Sequence, residues 1–123
     1  QHSVNYRSVT LFGSVSKIEN PKEKKAALKC FMDHMMRGQW EHVRPMHPQE
    51  LDRTMVVEMT IDTASAKIRD VGVNDEPEDY ELPIWAGILP LKQVAEYPIS
   101  DDQLPDDIAI PDHVLKYYEE HKH

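Results

Sequence analysis

The residues of this chain best suited to chemistry stand near its start, in the stretch YRSV, Tyr6 to Val9. The Arg7 guanidinium offers a rigid fork of donors that matches a phosphate. The Ser8 hydroxyl can reach a phosphate or the polar edge of a ring. Further along, Lys67 is another cation, and Trp85 is a flat surface against which a planar ligand can lie. Each has a plainer reading beside this one: Arg7 as a surface charge, Ser8 as a strand hydroxyl facing water, Lys67 as a solvated strand cation, Trp85 as packing. No catalytic acid, base or nucleophile stands out, because none of the 22 acidic residues forms a distinctive pair. A Gly-rich phosphate loop with Lys-Ser/Thr, GxGxxG, GxSxG and HExxH are all missing. His34, His42 and His47 match no common zinc spacing and no cysteine joins them, so no metal site is expected. Asp75, Glu76, Glu78 and Asp79 lack the alternating ligands and turn glycine of a calcium loop and read as a solvated acidic loop.

The elements that must position these residues follow from periodicity. Residues 6–15 alternate as a strand, with Tyr6, Ser8, Thr10 and Phe12 on one face and Val9, Leu11, Gly13 and Val15 on the other. Gly13 inside that pattern signals a bulge, a bend or a close backbone approach. Asn20, Pro21 and Glu23 mark a helix start: a cap, a first-turn proline and a capping-box acid. Leu28, Phe31, Met32 and Met35 form its apolar stripe, and Gly38 its stop. A short helix is expected over 49–53, a second strand over 54–62 and a third over 65–70. IWAGILPLKQVAEY, residues 84–97, reads as a strand broken at Pro90. A proline- and aspartate-rich tail follows, closing in a short helix that begins at Pro111 and Asp112. The pattern is strands with one good helix, an α+β or barrel piece too short of strands to close by itself.

With 123 residues the chain has the length of one modest domain. A net charge of −8 argues against nucleic acid as a partner. No apolar run approaches the ~20 residues of a membrane span, and no basic-then-apolar leader opens the chain. Cys30, the single cysteine, sits in a helix and reads as a reduced core thiol, which makes the cytoplasm the expected compartment. The opening Gln in place of Met reads as a processed or trimmed piece.

Three stretches, taken in order, resemble the pyridoxamine 5′-phosphate oxidase-like split-barrel proteins. YRSVTLFGSVSKIENPKEKKAAL matches a strand, turn and helix of that family through Ser8, Val9, Gly13 and the helix from Pro21. HPQELDRTMVVEMTIDTASAKIRD matches through His47, Pro48, Glu50, Leu51, Thr54 and the Lys67-x-Arg69 pair. EDYELPIWAGILPL matches a subgroup ending in Trp85, Ala86, Gly87 and Pro90. The nearest relatives resemble flavin-nucleotide-binding and nitroimidazole-resistance proteins.

The resemblance implies a mainly β, α+β fold: the later half of an FMN-binding split β-barrel over 1–98, with an extended tail over 99–123. It implies FMN held between two subunits of a homodimer, with Arg7, Ser8, Val9, Lys67 and Trp85 as cofactor-binding residues and Tyr97 as a looser aromatic contact. The residues that grip the FMN phosphate are expected in the barrel half that precedes this stretch. The activity implied is transfer of a hydride from NAD(P)H to flavin and of electrons to a small-molecule acceptor of nitro-aromatic type. The other reading is a non-catalytic flavin-binding or dimerisation module. Pyridoxamine phosphate oxidation itself is not expected, since the late Arg-x-His of the true oxidases is missing.

Overall fold

Two long strands carry the structure, a computed structural model that describes residues 2–123. Strand β1 spans Tyr6–Lys17 and strand β2 spans Val57–Arg69, and they pair as a two-stranded sheet. Ile18 donates its N–H to Val56, Ser16 meets Glu58, and Arg69 meets Asn5. Partner numbers fall as chain numbers rise, so the pair is antiparallel. The expected second and third strands are one: Thr63, Ala64 and Ser65 put no glycine or proline between them, and β2 runs straight through.

Between the strands lie helix α1 (Pro21–Met35), helix α2 (Gln39–His42) and helix α3 (Pro48–Arg53). The start of α1 is as read from the sequence: Asn20 Oδ1 accepts the N–H groups of Lys22 (2.9 Å) and Glu23 (3.2 Å). Such a cap stabilises a helix by about 1 kcal/mol. Gly38 lies two residues past the helix C-cap with φ of 92°, where a side chain would be strained. After β2 comes a 3₁₀ turn, Pro77–Glu81, and near the end helix α4, Asp112–His121. Residues 84–97 form no strand: a strand needs a neighbour for its N–H and C=O groups, and among the described residues only β1 and β2 pair. No described helix is long and apolar enough to cross a membrane.

The chain divides into two compact units, each drawn from two separated segments. One takes the chain up to Val15 with Met59–Lys92; the other takes Ser16–Glu58 with Gln93–His123. In the second, α1 packs on α2 and α3. There α4 is tied down by His113 Nε2, which donates to Gln39 Oε1 at 2.7 Å, and by Ala95 N–H on His121 O at 2.9 Å. Tyr118 meets Tyr97 edge-on. In the tail ahead of α4, Ile110 is half-buried, whereas Leu104 and Ile108 are exposed.

No hydrophobic side chain among the described residues is buried, and the one buried polar residue is Lys24. Val9, Phe12, Phe31 and Met35 are all more than half exposed. Of the stripe of α1 and the aliphatic face of β1, expected to be packed, Leu28 and Met32 are half-buried and the other residues are exposed. Cys30, expected as a core thiol, is exposed with them. A lone two-stranded ladder has no second layer to bury its faces.

Candidate functional site

Only one residue on each strand is half covered: Tyr6, the first of β1, and Arg69, the last of β2. In an antiparallel pair these positions share one end of the ladder. Lys67 Nζ reaches to 5.9 Å from the centroid of the Tyr6 ring. Such a pair contributes about 0.5–1 kcal/mol at an exposed site. The register that pairs Ile18 with Val56, Ser16 with Glu58 and Asn5 with Arg69 sets Arg7 opposite Lys67, so Arg7, Val9, Lys67 and Arg69 share one face and Tyr6 and Ser8 the other. Of the five residues read from the sequence as ligand-binding, the structure thus groups Arg7 and Val9 with Lys67 and sets Ser8 behind them.

Arg69 is fixed by a neighbour the sequence did not single out. Its Nη1 donates to Asn5 Oδ1 at 3.0 Å and to the Val4 carbonyl at 3.3 Å. The Asn5 amide also donates to Val71 O at 3.0 Å, and its oxygen accepts the Val71 N–H at 3.4 Å. Beside this clamp lies a cleft of about 690 Å³, bordered by Asn5, Arg69, Val71, Asn74 and the 87–91 backbone stretch. Arg69 was legible as half of the Lys67-x-Arg69 spacing, which places two cations on one face. Nothing local marked Asn5.

Trp85 belongs to the loop after the 3₁₀ turn and is 79% exposed. The close approach that Gly87 permits is taken by this indole: a β-carbon on Gly87 would lie 2.5 Å from Trp85 Cζ2. The flat side chain thus lies against its own loop, within the unit that holds the clamp.

The other unit has a cleft of about 840 Å³, lined by Lys25, Met32, Trp40, Val43, Arg44 and Met46, among others. Ion pairs organise its surroundings. Arg44 forks onto Glu50, Nη2 to Oε1 at 2.5 Å and Nη1 to Oε2 at 3.0 Å. Glu50 Oε2 also accepts the His47 N–H at 2.8 Å, closing the start of α3. The Arg44 guanidinium first, and that backbone N–H second, hold the Glu50 carboxyl down at about 2, and Glu50 in turn raises Arg44. Lys29 bridges α1 to α2 through Asp33 (2.6 Å) and Glu41 (2.9 Å), which raises Lys29 and lowers Glu41. These pairs are solvent-exposed and serve mainly to fix helix positions. Near the end of the chain, Glu119 raises Lys122.

Against known proteins, residues 1–68 match the profile of the pyridoxamine 5′-phosphate oxidase family. Two solved structures are similar over 92% of this chain, both with a TM-score of 0.81. One is a flavocytochrome from Azotobacter vinelandii, 35% identical, of which 53% is covered. The other is a FAD- and haem-binding protein from Mycobacterium smegmatis, 27% identical, of which 56% is covered. The chain therefore spans about half the length of each, and its ladder and helices form part of a split-barrel fold. No curated protein gives a match.

Proposed function

Because the chain belongs to the pyridoxamine 5′-phosphate oxidase family, we propose that it binds a flavin on the Arg7–Lys67–Arg69 face of the ladder and acts as an oxidoreductase. The observation that carries this reading is the Arg69–Asn5 clamp lining the cleft at one end of the ladder, on the face that Arg7 and Lys67 share. These residue types suit a flavin: cations for its polar atoms, and the apolar surface of Val71, Val73 and Ile88 for its ring. FMN is the flavin the sequence resemblance supports, and FAD is the competitor, since the Mycobacterium smegmatis relative binds FAD.

Bound flavin would supply hydride acceptance from NAD(P)H and electron delivery to a small acceptor, nitro-aromatics being the class the resemblance favours. The protein's part is to bind and orient. Lys67, Arg7 and Arg69 hold polar atoms. A second subunit is proposed to cover the open apolar faces and close the site. The chain offers no acid or base of its own that stands out for proton transfer.

The absorption spectrum of the purified protein tests the reading. The near-ultraviolet and blue bands of oxidised flavin, bleached by NADH or NADPH, support it. A protein that stays colourless after incubation with FMN and with FAD overturns it. Flavin that is retained but never bleached makes the protein a non-catalytic flavin module. Chromatography of the released cofactor separates FMN from FAD.

A further inference from the structure

We propose that Arg69, positioned by Asn5, recognises the carbonyl-bearing edge of the flavin ring rather than its phosphate; this rests on the flavin reading above. Two features of the clamp carry the assignment. The first is immobilisation. One guanidinium nitrogen of Arg69 is committed to Asn5 Oδ1 and the Val4 carbonyl, while Asn5 is itself held at both ends by the Val71 backbone. A guanidinium pinned through one nitrogen keeps its other N–H groups aimed in a fixed direction, with little rotamer entropy left to lose on binding.

The second is charge. Among the described residues lining the cleft, Arg69 is the one cation, and Asp70 lines it as well. A phosphate monoester carries about two negative charges near neutral pH and would meet that carboxylate as a like charge. A neutral heterocycle with carbonyl and N–H groups on its edge meets no such repulsion. It can accept from Arg69 and exchange hydrogen bonds with the Asn74 side chain, while Val71, Val73 and Ile88 give the same cleft apolar surface.

Riboflavin has the ring without the phosphate, so titrating it and FMN into the intact protein separates the two roles. The expected result is that Arg69→Ala weakens FMN and riboflavin by the same factor, about ten- to hundred-fold for one charged hydrogen bond. Asn5→Ala is expected to weaken both in equal proportion, and Asn5→Asp, which keeps the acceptor for Arg69, to restore much of the loss. In the double variant Asn5→Ala/Arg69→Ala, binding is expected to be no weaker than in Arg69→Ala alone, since Asn5 acts through Arg69. Loss confined to FMN would make Arg69 a phosphate ligand and overturn the proposal. So would unchanged binding of both ligands in Arg69→Ala, or a wild-type protein that binds FMN but not riboflavin; in those three cases the flavin reading stands. Wild-type protein that binds neither ligand, nor FAD, would overturn both.

Discussion

Gly13 and Thr60 touch backbone to backbone: a β-carbon placed on Gly13 would stand 1.8 Å from the Thr60 carbonyl oxygen and 2.8 Å from its carbon. The glycine that interrupts the alternation of β1 is therefore a place where the partner strand comes too near for any side chain. A flexible side chain could swing away from such a clash; a backbone carbonyl in a ladder cannot. Gly13→Ala is expected to cost about 1–3 kcal/mol, the usual range for forced overpacking. Denaturant or thermal melts check this. Gly72→Ala is the control, because a β-carbon there meets nothing within 4 Å. Equal stabilities of the two variants would contradict the close approach.

Acid should weaken the unit that holds α3. The folded Glu50 carboxyl lies at about 2, below its ordinary 4.5, because Arg44 and the His47 N–H favour its charged form. A depressed folded value means stability that is present above pH 4.5 and is lost as pH falls from there toward about 2. Melting temperatures measured from pH 6 down to pH 2 are expected to fall less steeply in Glu50→Gln than in wild type. Parallel curves would show that the pair contributes nothing. High salt is expected to shrink the difference, since the pair is exposed to solvent.

Much of this chain's surface lies open. Its accessible surface is 11477 Å², whereas a folded monomer of 14.3 kDa exposes about 6,800 Å² by the usual scaling with mass. The surplus of roughly 4,700 Å² exceeds the ~800 Å² that each partner contributes to an ordinary interface. Light scattering coupled to size exclusion is expected to give a dimer. Replacing the exposed Phe31 and Met35 on α1 with Asp tests whether that stripe belongs to the interface. A wild-type protein that is monomeric and fully folded would contradict the homodimer.

Local signals were legible in the sequence wherever the deciding interaction is itself local. The cap at Asn20 is made by N–H groups two and three residues on, so composition alone reveals it. The short helix α3 and the start of α4 were readable for the same reason, from Pro48 and from Pro111-Asp112. Burial was not readable. The period of Leu28, Phe31, Met32 and Met35 marks an apolar stripe but not that Phe31 and Met35 stay exposed. The apolar and aromatic run at 84–97 has strand propensity, but propensity supplies no partner strand. At the site, each cation could be read singly, but the clamp could not: Asn5 and Val71 are 66 positions apart. The separation of Arg7 from Ser8 was present in the alternation itself, although a shared phosphate-binding role would need both on one face.

The face assignment is the central claim, and one measurement tests it most directly: the FMN dissociation constant, by flavin fluorescence titration, in Lys67→Ala, Arg7→Ala and Ser8→Ala. Lys67 stands opposite Arg7 in the register fixed by Asn5 with Arg69, while Ser8 points to the other side of β1. The account predicts about a ten- to hundred-fold weakening in Lys67→Ala and in Arg7→Ala, for the loss of one charged contact each, and less than about a two-fold change in Ser8→Ala. Strong weakening in Ser8→Ala with Lys67→Ala unchanged would place the flavin on the other face and contradict it.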